Sequence, residues 1–253
     1  MDLKFSGLNA IVTGGSKGIG RAVVQAFLEE GANVAFCARN AAEVARVAND
    51  LSSIGPKIIG SVVDVSDPLA LEAWVHGSAQ VLGGIDIVVC NVSALELEDT
   101  EDSWNSNLKV DLMHTVRTCK TAIAYLEKSK NASIVNISSA SALELDGAMG
   151  PYSTTKAAII AYTAYLSTSL AQKNIRANTV SPGNTYFEGG ILSRIELEDP
   201  DSFAQILAGN PTGRMGTPEE QAYAVLTLAS PRASRISGTN LVVDGAMTRS
   251  VQF

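Results

Sequence analysis

Histidine is nearly missing from this chain: His76 and His114 are the only two among 253 residues. With so few imidazoles and no clustered thiols, no metal centre is expected. Cysteine is scarce as well. Cys37, Cys90 and Cys119 are odd in number, scattered and free of any CxxC pair. They exclude a disulfide framework and read as reduced core residues of a cytoplasmic protein. No apolar run is long enough to cross a bilayer. The opening "MDLKFSGLNAIVTGG" lacks the basic-then-apolar layout of a secretory signal. Positive charge is in deficit, with 19 Lys and Arg against 26 Asp and Glu, a net charge of −7. That balance argues against nucleic acid or an anionic membrane as the main partner. With no linker, repeat or low-complexity tract, a single domain over 1–253 is expected.

What the chain does have is a regular alternation. Short apolar runs at 8–13, 33–38, 57–63, 85–90, 132–138, 175–181 and 239–244 read as strands. Most are apolar at successive positions, as parallel strands covered on both faces are. Between them, amphipathic stretches at 18–30, 40–53, 67–82, 101–128, 151–172 and 217–229 read as helices. This order predicts a Rossmann-like, doubly wound three-layer α/β/α sandwich with a seven-stranded parallel sheet. One long irregular stretch, roughly 183–216, is the expected lid.

Two motifs carry chemistry. "TGGSKGIG" (13–20) lies between the first strand and the first helix, with glycines at 14, 18 and 20. Such a turn lets backbone approach a pyrophosphate and points a helix N-terminus at its charge. The second strand ends "FCARN": Ala38 stands where an acid would bind the ribose 2′-OH of NAD, and Arg39 follows. Arg39 and Lys17 together predict NADP(H). The second motif is "GPYSTTK" (150–156), where Tyr152 and Lys156 share a face if Pro151 opens a helix.

With these motifs placed, the chain resembles the short-chain dehydrogenase/reductase family, in its short single-domain branch, over essentially its whole length. The resemblance rests on TGxxxGxG (13–20), YxxxK (152–156), Ser139 thirteen residues before the tyrosine, and the tail "GRMGTPEEQAYAVLTLAS…SGTNLVVDGA". It implies hydride transfer between a nicotinamide and a carbonyl or alcohol carbon, usually in a homotetramer. Tyr152 is then the general acid/base. A free tyrosine titrates near ~10, and a cation such as Lys156 favours its phenolate. Ser139 would hold the substrate oxygen and Lys156 the nicotinamide ribose. Gly14, Ser16, Lys17, Gly18, Ile19, Gly20, Arg39, Asp64, Val65, Asn91, Tyr152, Lys156, Pro182, Gly183 and Thr185 are the implied cofactor contacts.

Three positions depart from the family pattern. After the fourth strand "CNVSA" keeps Asn91 but puts Val92 and Ser93 where alanine and glycine are usual. The fourth catalytic position, normally asparagine, falls on Asp111, seven residues beyond Trp104, while Asn107 comes a turn too early. After "SPG" the usual threonine falls on Phe187, with Thr185 two places early; either is placed to contact the carboxamide. Ser141, Leu143, Glu144 and Leu145, with Tyr186, Phe187, Glu188 and Leu192 in the lid, are the expected substrate walls. Their mixed lining suggests a small ketone, with the acids suited to a cationic one. A 3-oxoacyl thioester on an acidic carrier protein docking at Lys128, Lys130 and Lys173 is the second substrate reading. A nucleotide-binding protein that kept the fold and lost the chemistry is the rival, resting on Asp111 and the altered loop.

Overall fold

In the computed structural model, which describes residues 2–144 and 149–250, seven parallel strands form one sheet in the order β3-β2-β1-β4-β5-β6-β7. They are β1 Asn9–Thr13, β2 Asn33–Ala38, β3 Ile58–Val62, β4 Ile87–Cys90, β5 Ser133–Ile137, β6 Arg176–Pro182 and β7 Asn240–Val243. Period-two alternation sorts their side chains between two cores. Ala10, Val12, Val34, Phe36, Ile87 and Val89 face helices α1 (Gly18–Glu29) and α9 (Pro218–Ala229), where Phe27 meets Phe5 edge-on at 5.1 Å. Ile11, Ala35, Cys37, Val88 and Cys90 face α3 (Pro68–Leu82) and α5 (His114–Leu126). Each fully buried large side chain in these layers is worth roughly 1.5–3 kcal/mol. Burial pushes the Cys37 thiol up to about 12, which keeps it protonated and inert.

Helix starts follow local chemistry. Asn40 caps α2 (Ala41–Asp50), Asp67 caps α3, and Thr217 with Glu220 closes a capping box on α9, each side chain satisfying free N–H groups. Two expectations need correction. The stretch 101–128 is not one helix: α4 (Glu101–Asn107) passes through a π-helical turn at Leu108–Met113 before α5 begins. The lid is not irregular either, since it folds into α7 (Ile191–Glu198) and α8 (Pro200–Ala208), the latter with Pro200 in its first turn and Asp199 as its cap. No helix among the described residues is long and apolar enough to cross a membrane.

Candidate active site

The strand order reverses between β1 and β4, and the crevice at their carboxyl ends is where a doubly wound sheet binds ligands. The glycine turn lines it. Gly14 has φ +71°, and a Cβ added to Gly20 would sit 2.1 Å from the Gly14 carbonyl oxygen, so neither position tolerates a side chain. Asn91 braces the turn, its Nδ2 donating to the carbonyls of Thr13 and Gly14 at 3.3 Å each. Helix α1 begins after Lys17 with no side-chain cap and no acid in its first turn. Uncapped N–H groups beside a glycine turn fit a pyrophosphate. Phe187 is not confined to the lid wall: a Cβ on Gly18 would meet its ring at 2.6 Å, so the ring lies on the turn itself.

Around the adenosine end, Ser16 is buried and Lys17 and Arg39 are exposed. Ile19 packs against the first core, and Val65 is buried beneath the rim. Asp64 lies two residues beyond the end of β3 rather than closing it. The Ser66 N–H, at 2.9 Å, and the nearby Arg39 hold its carboxyl below the usual range. Pro182 ends β6, Gly183 donates to Val243 at 3.0 Å, and the Thr185 hydroxyl turns back to the Gly183 carbonyl at 3.1 Å.

The proton apparatus is built where α6 (Gly150–Ser169) docks on β5. The buried Ser138 hydroxyl donates to the Lys156 carbonyl at 2.8 Å, and Asn136 Nδ2 donates to Thr163 Oγ1 at 2.9 Å. Tyr152 and Lys156 do share a face, with Lys156 Nζ 5.6 Å from the Tyr152 ring centre. Ser139 opens a 3₁₀ turn (Ala140–Ala142), and its Oγ accepts the Ser141 N–H at 3.1 Å. That bond occupies an oxygen lone pair and leaves the hydroxyl proton free to be donated.

Asp111, in the π-helical turn, is fully buried and its Oδ1 lies 3.0 Å from Lys156 Nζ, itself 2% exposed. Oδ1 has no aligned hydrogen-bond donor, so this contact is an ion pair. Nζ also donates to the Ile137 carbonyl at 3.3 Å. Burial alone would lower the Lys156 pKa; the negative charges of Asp111 and Tyr152 outweigh it and hold the ammonium above its ordinary range. Asp111 Oδ2 accepts the Ala94 N–H at 2.8 Å, which anchors the altered loop. Asn107 completes that anchor, its Oδ1 accepting the Glu96 N–H at 3.2 Å and its Nδ2 donating to the Glu96 carbonyl at 2.7 Å. Between these clamps Leu95 is held at φ +57°.

Composition singled out His114 only as a metal ligand too few. Its Nδ1–H donates to the Val110 carbonyl, so Nε2 accepts from Thr13 Oγ1 at 3.2 Å, while Thr13 Oγ1 accepts the Asn91 N–H at 3.0 Å. This chain bolts the π-helical turn to the end of β1. Burial drops the His114 pKa to about 4, against the opposing pull of the Val110 carbonyl and Asp111.

The substrate walls are only partly as expected. Ser141 and Leu143 follow Ser139 and are half-buried, and Leu192 is buried in the lid. Glu144 is exposed and accepts the Arg249 N–H at 2.9 Å, and Glu188 is exposed, so neither acid is committed to a cation in the crevice. Tyr186 is spent within the lid, donating to Glu196 and meeting Phe203 edge-on at 6.0 Å. Leu145 lies outside the described residues. Lys128, Lys130 and Lys173 precede β5 and β6, at the amino ends of the strands and opposite Ser139, and Lys173 is paired with Glu127 at 2.5 Å. A carrier docked there faces the wrong end of a parallel sheet.

Known proteins resemble this chain over its length. The family described as enoyl-(acyl carrier protein) reductase matches residues 14–248. An isoepoxydon dehydrogenase of Penicillium expansum is 35% identical over 98% of this chain and 98% of its own. A 3-oxoacyl-[acyl-carrier-protein] reductase of Chlamydia muridarum is 37% identical over 94% of this chain and 96% of its own. The L-sorbose reductase of Gluconobacter frateurii, solved with NADPH and L-sorbose, superposes with a TM-score of 0.92 at 27% identity, covering 99% of this chain and 100% of its own.

Proposed function

Since the chain belongs to the short-chain dehydrogenase/reductase family of oxidoreductases, we propose that it is an NADP(H)-dependent reductase of small ketones, reversible as an alcohol dehydrogenase. The observation that carries this reading is the buried Asp111–Lys156 pair set beside Tyr152. When bound, the nicotinamide supplies or accepts the hydride; the remaining steps belong to the protein. Ser139, its oxygen already satisfied by Ser141, donates a hydrogen bond to the substrate oxygen and meets charge developing there. Tyr152 passes its phenolic proton to that oxygen in reduction and takes it back in oxidation. The Lys156 ammonium stabilises the phenolate left behind. Asp111 offsets the burial of the Lys156 ammonium, and the Ala94 contact orients that carboxylate.

NADP(H) is supported by the absence of an acid at Ala38, the Lys17 and Arg39 cations, and the NADPH held by the sorbose reductase. A 3-oxoacyl thioester is the second substrate reading, supported by the Chlamydia relative, although the lysines noted for carrier docking lie at the opposite end of the strands. A homotetramer is also proposed. Ala161, Ala164 and Tyr165 are exposed on α6, a small-residue face suited to a second copy, and light scattering tests it. The activity test is a panel of ketones with NADPH and NADH followed by the absorbance of the reduced cofactor. Turnover with NADPH well above NADH supports the reading; binding of cofactor with no carbonyl turned over favours the impaired-enzyme rival.

A further inference from the structure

The corner assigned to the 2′-phosphate already holds an anion. Glu43 stands in the first turn of α2, its N–H donating to the Asn40 side chain at 3.1 Å, and its carboxylate turns back toward the glycine turn. Oε2 accepts the Ser16 hydroxyl at 2.9 Å, and Oε1 lies 3.9 Å from Lys17 Nζ. Ser16 is only 4% exposed, so its bond to a charged acceptor is the stronger of the two contacts. The Lys17 pair is largely solvated and weaker. Arg39, by contrast, is exposed and forms no ion pair among the described residues.

Lys17 is the ammonium that the NADP(H) reading assigns to the 2′-phosphate, and Ser16 is the buried hydroxyl next to it in the turn. A dianion arriving there meets a like charge within hydrogen-bond range of its own donors, and like charges so placed repel. We propose that Glu43 is a specificity-determining residue: an internal anion that competes with the cofactor 2′-phosphate for Ser16 and Lys17, leaving Arg39 as the cation that tips the balance. It narrows the preference for NADP(H) over NAD(H) below what the bare cations give. The inference rests on the NADP(H) reading above.

Fragment binding separates the two ideas. Calorimetry at one fixed ionic strength compares 2′,5′-ADP with 5′-AMP on the wild type, Glu43→Gln and Glu43→Ala. Glutamine keeps an oxygen for Ser16 without the charge, alanine removes both, and urea melts of each variant confirm folding. The expected result is about tenfold tighter 2′,5′-ADP in both variants, with 5′-AMP unchanged within about twofold. A wild type that binds both fragments equally removes the NADP(H) reading itself. A wild type that prefers 2′,5′-ADP, with variants that bind it no better or worse, overturns the proposal and leaves Glu43 as an organiser of Ser16 and Lys17.

Discussion

Replacing Asp111 by asparagine is the most informative single perturbation. It keeps an oxygen for the Ala94 N–H and nearly the same volume, and removes one buried charge 3.0 Å from Lys156. Stripping one partner from a buried pair costs about 3–5 kcal/mol, and the retained amide dipole places this variant near ~3. The pH dependence has a definite sign. Lys156 is held above its unfolded value of 10.5, so the pair's contribution is complete below that pH and fades as pH rises through the folded value. Wild type and variant stability curves should therefore run parallel at neutral pH and converge only in strong alkali.

The same substitution changes the field at Tyr152. A charge 5.6 Å from the ring is worth ~3 kcal/mol at an effective dielectric of about 20. The opposing Asp111 charge lies at most roughly 8–9 Å from that ring and cancels ~2 kcal/mol of it. With Lys156 still charged, removing Asp111 leaves its pull on the phenolate unopposed by that margin, and the limb of the alcohol-oxidation pH profile should move about 1.5 pH units toward acid. The assay is kcat/KM against pH for the best alcohol, alongside urea melts. A limb that stays in place while stability falls reduces Asp111 to a structural part; a limb that moves toward alkali refutes the electrostatic reasoning.

Three other perturbations follow. His114 is held neutral, so the unfolded chain takes up a proton below ~6.5 that the folded protein refuses; stability should fall by ~3 kcal/mol between there and about pH 4, and His114→Gln should flatten that limb in denaturant melts. Gly20→Ala drives a methyl to 2.1 Å from the Gly14 carbonyl and should cost at least ~1–3 kcal/mol, with loss of cofactor binding by calorimetry; full affinity would show that the turn is not the phosphate cradle. Phe187→Ala lifts a ring off Gly18 and should tighten NADPH and NADH by the same several-fold factor, unlike the cofactor-selective effect expected at Glu43; weaker binding of both would mean the ring supports the cofactor instead.

Much of the fold is written locally. The inner strands are covered on both faces, so runs such as "IVVC" and "VAFCA" are apolar throughout and easy to read. The π-helical turn is not, because 101–128 keeps helical periodicity. The turn is accompanied by distant partners: Lys156 meets Asp111, Thr13 meets His114, and Ala94 meets Asp111. The lid helices are harder to read although Asp199-Pro200 is a local start signal, since the glycines and acids around it suggest a loop. Glu43 reads as an ordinary solvated helix acid until the fold brings Ser16 against it.

The central claim is that Tyr152 moves the proton and the Lys156–Asp111 pair beside it makes that possible. Single-turnover oxidation of bound NADPH by the best ketone, in wild type and Tyr152→Phe, tests it directly. The predicted result is unchanged NADPH affinity with a turnover rate lower by ~10²–10⁴. A Phe variant that oxidises NADPH as fast as the wild type would contradict the account at its root.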